Sequence, residues 1–327
     1  NIVYRFWDYG DFTYATKTNA NNFSKTYAAA NTYSASLRVQ TDSGCRSTYN
    51  IQSIKVNYLP KVNFGMPVIC LPDGRGKFTD STNIGDNASL SYLWNFGDPN
   101  DATPSTLPNP YHKYSALGPY NVKLKVVSSF NCVDSVTKVF NTVYPQPKAA
   151  FSFPKDSICI NDKVQFTDKS NGITSSAVSW NWDLANGDKS TLQNPLKQFI
   201  DSGSFNISLY FYNQQGCISD TAVKTIVVNP YPVLTLSSSM FMLEGGSLTI
   251  RPSYFYGTNL QFLWSPATYL NSDTARYPVA KPADDITYTL TLTGIGGCAV
   301  TSDVFIKVLK SPVVPNAFSP NGDGIND

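Results

Sequence analysis

Histidine and glutamate are almost missing from this sequence: one imidazole, His112, stands in 327 residues, and 22 of the 23 acidic residues are Asp, the exception being Glu244. A single imidazole excludes a histidine-rich metal cluster and leaves one candidate base of that type. A helical protein of this size would use Glu freely, whereas Asp, Asn, Gly and Pro favour turns and caps, so the balance points to an all-β chain. Charge is also scarce. Charged residues make up 15% of the chain and the net charge is +2, which provides no broad basic face for phosphate backbones, so nucleic acid is not an expected partner. No apolar run approaches the ~20 residues of a membrane helix, so no membrane-spanning segment is expected. The opening Asn-Ile-Val-Tyr-Arg-Phe-Trp has neither an initiator Met nor the pattern of a signal peptide, and reads as a slice of something longer.

Against these absences stand 42% hydrophobic and 13% aromatic residues, ample for cores, in a chain too long for one ordinary domain. Cysteine and tryptophan supply a ruler. Cys45, Cys132, Cys217 and Cys298 are 87, 85 and 81 residues apart, and Trp7, Trp94, Trp182 and Trp264 are 87, 88 and 82 apart. Repetition at that period predicts four copies of one module. Laid over one another, Trp7-Asp-Tyr-Gly-Asp11 matches Trp94-Asn-Phe-Gly-Asp98, with Trp182-Asp-Leu-Ala-Asn-Gly187 as a worn version. Asn22, Asn109 and Asn194 align, and Tyr27, Tyr114 and Phe199 follow each by five. Every unit then alternates apolar and polar residues, as in Tyr33–Val39, Tyr120–Val126, Phe205–Leu209 and Tyr288–Leu292, the pattern of a strand with one buried face. The expected fold is all-β, a tandem array of antiparallel β-sandwiches. Proline-bearing joints at Pro60, Pro145–Pro147, Pro230–Pro232 and Pro312–Pro315 fix φ and leave little slack, which predicts a semi-rigid rod on the order of 120 Å.

Trp94-Asn-Phe-Gly-Asp98, Asn109-Pro-Tyr-His-Lys-Tyr114 and Gly118-Pro-Tyr-Asn-Val-Lys-Leu-Lys-Val126 resemble the polycystic-kidney-disease (PKD) domain, which implies tandem immunoglobulin-like (PKD-type) antiparallel β-sandwiches. The expected organisation is a partial PKD-like module over 1–60, PKD-like modules over 61–146 and 147–230, an immunoglobulin-like module over 231–311, and a fifth segment over 312–327. That last segment, Val314-Pro-Asn-Ala-Phe-Ser-Pro-Asn-Gly-Asp-Gly-Ile-Asn-Asp327, resembles the start of the gliding-motility-associated C-terminal domain, the type B sorting signal of the type 9 secretion system of Bacteroidota. The resemblance implies export, the type 9 machinery and outer-membrane attachment components as partners, and a secreted protein held at the cell surface. It implies a non-enzymatic adhesin or stalk region presenting whatever lies upstream. The alternative is the spacer region of a secreted hydrolase; a third reading has exposed tyrosines binding polysaccharide or another surface ligand.

In an oxidising compartment Cys70 is expected to bridge Cys132 and Cys159 to bridge Cys217, closing loops of 62 and 58 residues within single modules; buried thiols are the alternative. Cys45 would pair upstream of Asn1, and Cys298 has no partner in its own module. His112 aligns with Lys25 and Lys197, which argues against catalysis, and the tryptophans fit core positions. No cofactor is expected. Asn321, Asp323, Asn326 and Asp327 present oxygen ligands on a Gly-rich turn that could take Ca²⁺, although the closing Glu of an EF-hand is missing and a solvated turn is the competing reading. The export route also implies O-glycosylation at Asp-Ser/Thr pairs followed by Ala, Ile, Leu, Met, Thr or Val, which singles out Ser81, Ser135, Ser157, Thr221 and Thr274.

Overall fold

The computed structural model describes residues 1–311 and is almost wholly β, with one short 3-10 turn, Ile295–Gly297, among the described residues. None of those residues forms a helix long and apolar enough to cross a membrane. The chain divides into two compact bodies, Asn1–Gln146 with Gln215–Cys217, and Pro147–Gln214 with the residues from Ile218 onward.

In the first body, strands Tyr14–Lys17, Ile2–Asp8, Asn31–Thr41 and Asn50–Val56 form, in that order, an antiparallel sheet. After it, Val133–Phe140, Tyr120–Ser128 and Leu90–Asn95 make a second antiparallel sheet. Tyr120–Ser128 alternates buried and outward residues almost without exception, with Tyr120, Val122, Leu124 and Val126 inside. Those side chains meet Phe64, Ile69, Phe78, Trp94, Phe96, Tyr114, Phe140 and Val143 in one core. The facing layer is built from short pairs. Phe64–Gly65 lies against Thr79–Asp80, and Arg75–Lys77 against Tyr111–Lys113. Ile69–Cys70 pairs parallel with Val143–Tyr144.

The second body repeats this plan twice. Ser157–Cys159, Ala222–Asn229, Gly203–Asn213, Ala177–Asp183 and Lys189–Ser190 form a five-stranded sheet around Phe151, Phe166, Trp182, Ile207 and Leu209. Ser239–Leu243, Ala299–Leu309, Ile286–Thr293 and Gln261–Ser265 form a four-stranded sheet around Ile250, Trp264, Tyr288, Leu290 and Ile306. In each, the first strand of the sheet is the parallel one, as when an edge strand crosses from one layer of a sandwich to the other. The molecule is therefore a tandem series of β-sandwiches, and the four segments of alternating sequence all lie within long strands.

The structure corrects the cysteine pairing. Cys70 bonds Cys217 and Cys159 bonds Cys298, with Cα separations of 5.4 and 5.7 Å, while Cys45 and Cys132 are free thiols. Neither intramodule bridge, Cys70–Cys132 or Cys159–Cys217, forms, and strand geometry says why. Cys70 sits beside Tyr144, after the end of strand Val133–Phe140, whereas Cys132 lies in the turn that precedes this strand. Eight extended residues span about 27 Å, against the ~7 Å limit of a disulfide. The next module repeats the problem, with Cys159 beside Asn229 and Cys217 ahead of strand Ala222–Asn229. Each early cysteine is therefore at one end of its sandwich and each late cysteine at the other. Both bonds run from one module's early cysteine to the following module's late cysteine.

Candidate functional site

The positions best placed for chemistry are the turns after the module tryptophans, where each aligned cation meets a carboxylate. In the first, Lys25 Nζ lies 2.7 Å from Asp11 Oδ2. In the second, His112 Nε2 is 3.3 Å from Asp98 Oδ2, and the two side chains are 4% and 1% exposed. In the third, Lys197 contacts Asp188. The worn turn is therefore longer rather than altered: two added residues carry the Gly-Asp pair to Gly187-Asp188, so the alignment with Ala185-Asn186 missed the carboxylate. Asp11 is held below the usual carboxylate range first by its hydrogen bond from Lys25 and then by Thr13.

The turn itself is tied down by local bonds. Asn95 Oδ1 accepts from the Gly97 amide at 2.9 Å, and Asp8 Oδ1 accepts from Gly10 at 2.9 Å. Tyr114 donates its hydroxyl to Phe96 O at 2.9 Å and Tyr27 donates to Tyr9 O at 3.0 Å. Burial pushes the Tyr114 phenol well above its ordinary range, with Asp98 acting in the same direction. His112 itself is clamped between Phe96, stacked at 4.2 Å, and the edge of Tyr114 at 4.6 Å. This enclosed imidazole takes the seat of the lysines and, like them, meets the turn carboxylate.

Four of the five tryptophans are tied into the structure by their indole N–H. The indole N–H of Trp94, Trp182 and Trp264 donates to Leu107 O, Leu192 O and Ala275 O, each at 2.9 Å. Trp180, half-buried, donates to Asp168 Oδ2 at 2.9 Å. Asn109 and Asn194 perform one shared task, accepting from the amides of Asp80 and Asp168 at 2.9 and 2.8 Å. Burial works against the charge on Asp168, yet hydrogen bonds from Ser170, Trp180 and Gln193 outweigh it and hold its carboxyl below the usual range.

The five hydroxyls of the Asp-Ser/Thr triplets, on Ser81, Ser135, Ser157, Thr221 and Thr274, are all on exposed residues. Ser157 Oγ also accepts from Asn229 Nδ2 at 2.8 Å. Asn321, Asp323, Asn326 and Asp327 lie outside the described residues. Among the described residues, no group of three His, Cys, Asp or Glu is placed to hold a metal ion. An open groove of about 560 Å³ crosses the sheet face of the third module at Asn181, Asp183, Lys189, Ser208 and Tyr210. Its one carboxylate, Asp183, accepts from the Ala185 amide at 3.0 Å and stands in register with Lys189 on the neighbouring strand.

The family model of the PKD domain matches residues 59–143 and 144–228. Among solved structures, the PKD1 domain from the Vibrio cholerae metalloprotease PrtV is 28% identical, covering 25% of this chain and 96% of that one, with a TM-score of 0.23. The PKD1 domain of Vibrio anguillarum Epp is 25% identical over 25% of this chain and 93% of that one, TM-score 0.23. An I-band fragment of titin is 10% identical, over 78% of this chain and 100% of that one, with a TM-score of 0.42.

Proposed function

Since the chain belongs to the PKD-domain family, we propose that it is a non-enzymatic stalk of a secreted cell-surface protein, exported by the type 9 secretion system and presenting a functional region away from the cell. One observation carries the reading: the aligned turn cation meets a carboxylate, module after module. His112 occupies a seat that Lys25 and Lys197 fill elsewhere, and each pairs with a turn carboxylate. Disulfides fit an oxidising environment outside the cytoplasm. The export route rests on Val314–Asp327 and its likeness to a type B sorting signal. Attachment at the outer membrane and glycosylation at Ser81, Ser135, Ser157, Thr221 or Thr274 belong to the same proposal, as does Ca²⁺ at Asn321, Asp323, Asn326 and Asp327.

Antibody against the modules should label intact cells of the bacterium that makes the protein. Labelling should vanish after external protease and in cells lacking the secretion system. Protein that stays inside, protected from protease, would refute the reading, as would hydrolysis of glycans or peptides by the purified chain that is lost in His112→Ala.

A further inference from the structure

The two disulfides interlace along the sequence: the Cys70–Cys217 loop opens before Cys159 and closes before Cys298, so neither loop contains the other. We propose that this order makes the chain an extension limiter, which carries tension through its bridges and cannot be drawn out one module after another. The inference stands on cysteine connectivity alone and is independent of the export route.

Covalent bonds bound how far two points of a chain can be separated even after every strand has been pulled apart. With the cysteines reduced, 228 residues separate Cys70 from Cys298, about 780 Å at ~3.4 Å per residue. With both bridges closed, the shortest covalent route crosses from Cys70 to Cys217, returns along 58 residues to Cys159 and crosses to Cys298. Fully stretched, that route measures about 200 Å. Bridges confined to single modules, Cys70–Cys132 and Cys159–Cys217, would leave 27 residues from Cys132 to Cys159 and 81 from Cys217 to Cys298 under load, about 370 Å. The stagger is therefore the tighter arrangement. It follows from sandwich geometry, because the early and late cysteines lie at opposite ends of each module.

The bridge between the third and fourth modules closes where those modules already touch. Within the third module, just before the joint, the side-chain amide of Asn229 donates to Ser157 Oγ at 2.8 Å and to Ile158 O at 3.2 Å. Cys298 Sγ lies 3.8 Å from Asn229 O and 4.0 Å from Ile158 O. In unloaded protein the bond thus joins groups already packed together, and under load it takes over when those contacts give way.

Single-molecule pulling of the full chain, held at its two ends, tests the proposal by the contour length that the Cys70–Cys298 segment contributes. The expected result in oxidising buffer is the 58-residue length, rising about fourfold when reductant is added to the same wild-type protein. Cys70→Ser should shift the limit to the 89 residues between Cys70 and Cys159, and Cys298→Ser to the 81 between Cys217 and Cys298. The reductant arm needs no variant to fold. The full 228-residue length in oxidising buffer, or the length expected of intramodule bridges, would overturn the proposal.

Discussion

A carboxylate as enclosed as Asp98, 1% exposed, persists only with partners, and His112 supplies one while the Asn100 amide supplies another at 2.9 Å. Removing the ring leaves a buried charge poorly answered, so His112→Ala should destabilise by about 3 kcal/mol. His112→Lys, which copies the neighbouring modules, should cost less than half of that; urea denaturation of the two variants checks the order. Asp168 makes a pH prediction. Its folded-state pKa lies below the ordinary value, so its contribution to stability is present above the unfolded value near ~3.9 and fades as pH falls through the lower folded value. Asp168→Asn should therefore cost about 1 kcal/mol at neutral pH, after allowing for its partial exposure, and the difference from wild type should shrink below about pH 4. Denaturation midpoints measured across pH 2 to 7 would show it.

At the level of the element, the Gly-Asp turn is where module and variant part company. Gly97 has φ +66°, and a Cβ there would lie 2.5 Å from Asn121 O. Gly187, at the lengthened turn, has φ +82° but nothing within 4 Å. Both substitutions strain the backbone, and only one also clashes with a strand. Gly97→Ala should cost about 3 kcal/mol and Gly187→Ala about 1 kcal/mol, read from the thermal unfolding of each variant. The same turns mark what could be read from sequence. Alternation at Tyr120–Val126 or Tyr288–Leu292 shows a strand directly, because a half-buried strand needs little else. The aligned cation was visible, but its partner in the third module was not, since two inserted residues move Asp188 out of register while leaving it in place in space. Asn109 and Asn194 were recognisable as a repeat, though not as acceptors for the amides of Asp80 and Asp168, which are distant in sequence.

For the whole molecule, repetition was legible in the spacing of Trp and Cys, and the pairing of cysteines was not. Spacing says that two cysteines recur in a module; it does not say that they sit at opposite ends of it, which depends on the parallel strands Ile69–Cys70 and Ser157–Cys159. Loops of 147 and 139 residues would each stabilise by about 5 kcal/mol in the chain-entropy model, with less than the sum from both because the loops share residues. The cross-bracing of the array rests on those bonds. Non-reducing peptide mapping of the oxidised protein should recover Cys70 joined to Cys217 and Cys159 joined to Cys298, with Cys45 and Cys132 open to alkylation. Recovery of Cys70 joined to Cys132, or of Cys159 joined to Cys217, would contradict it.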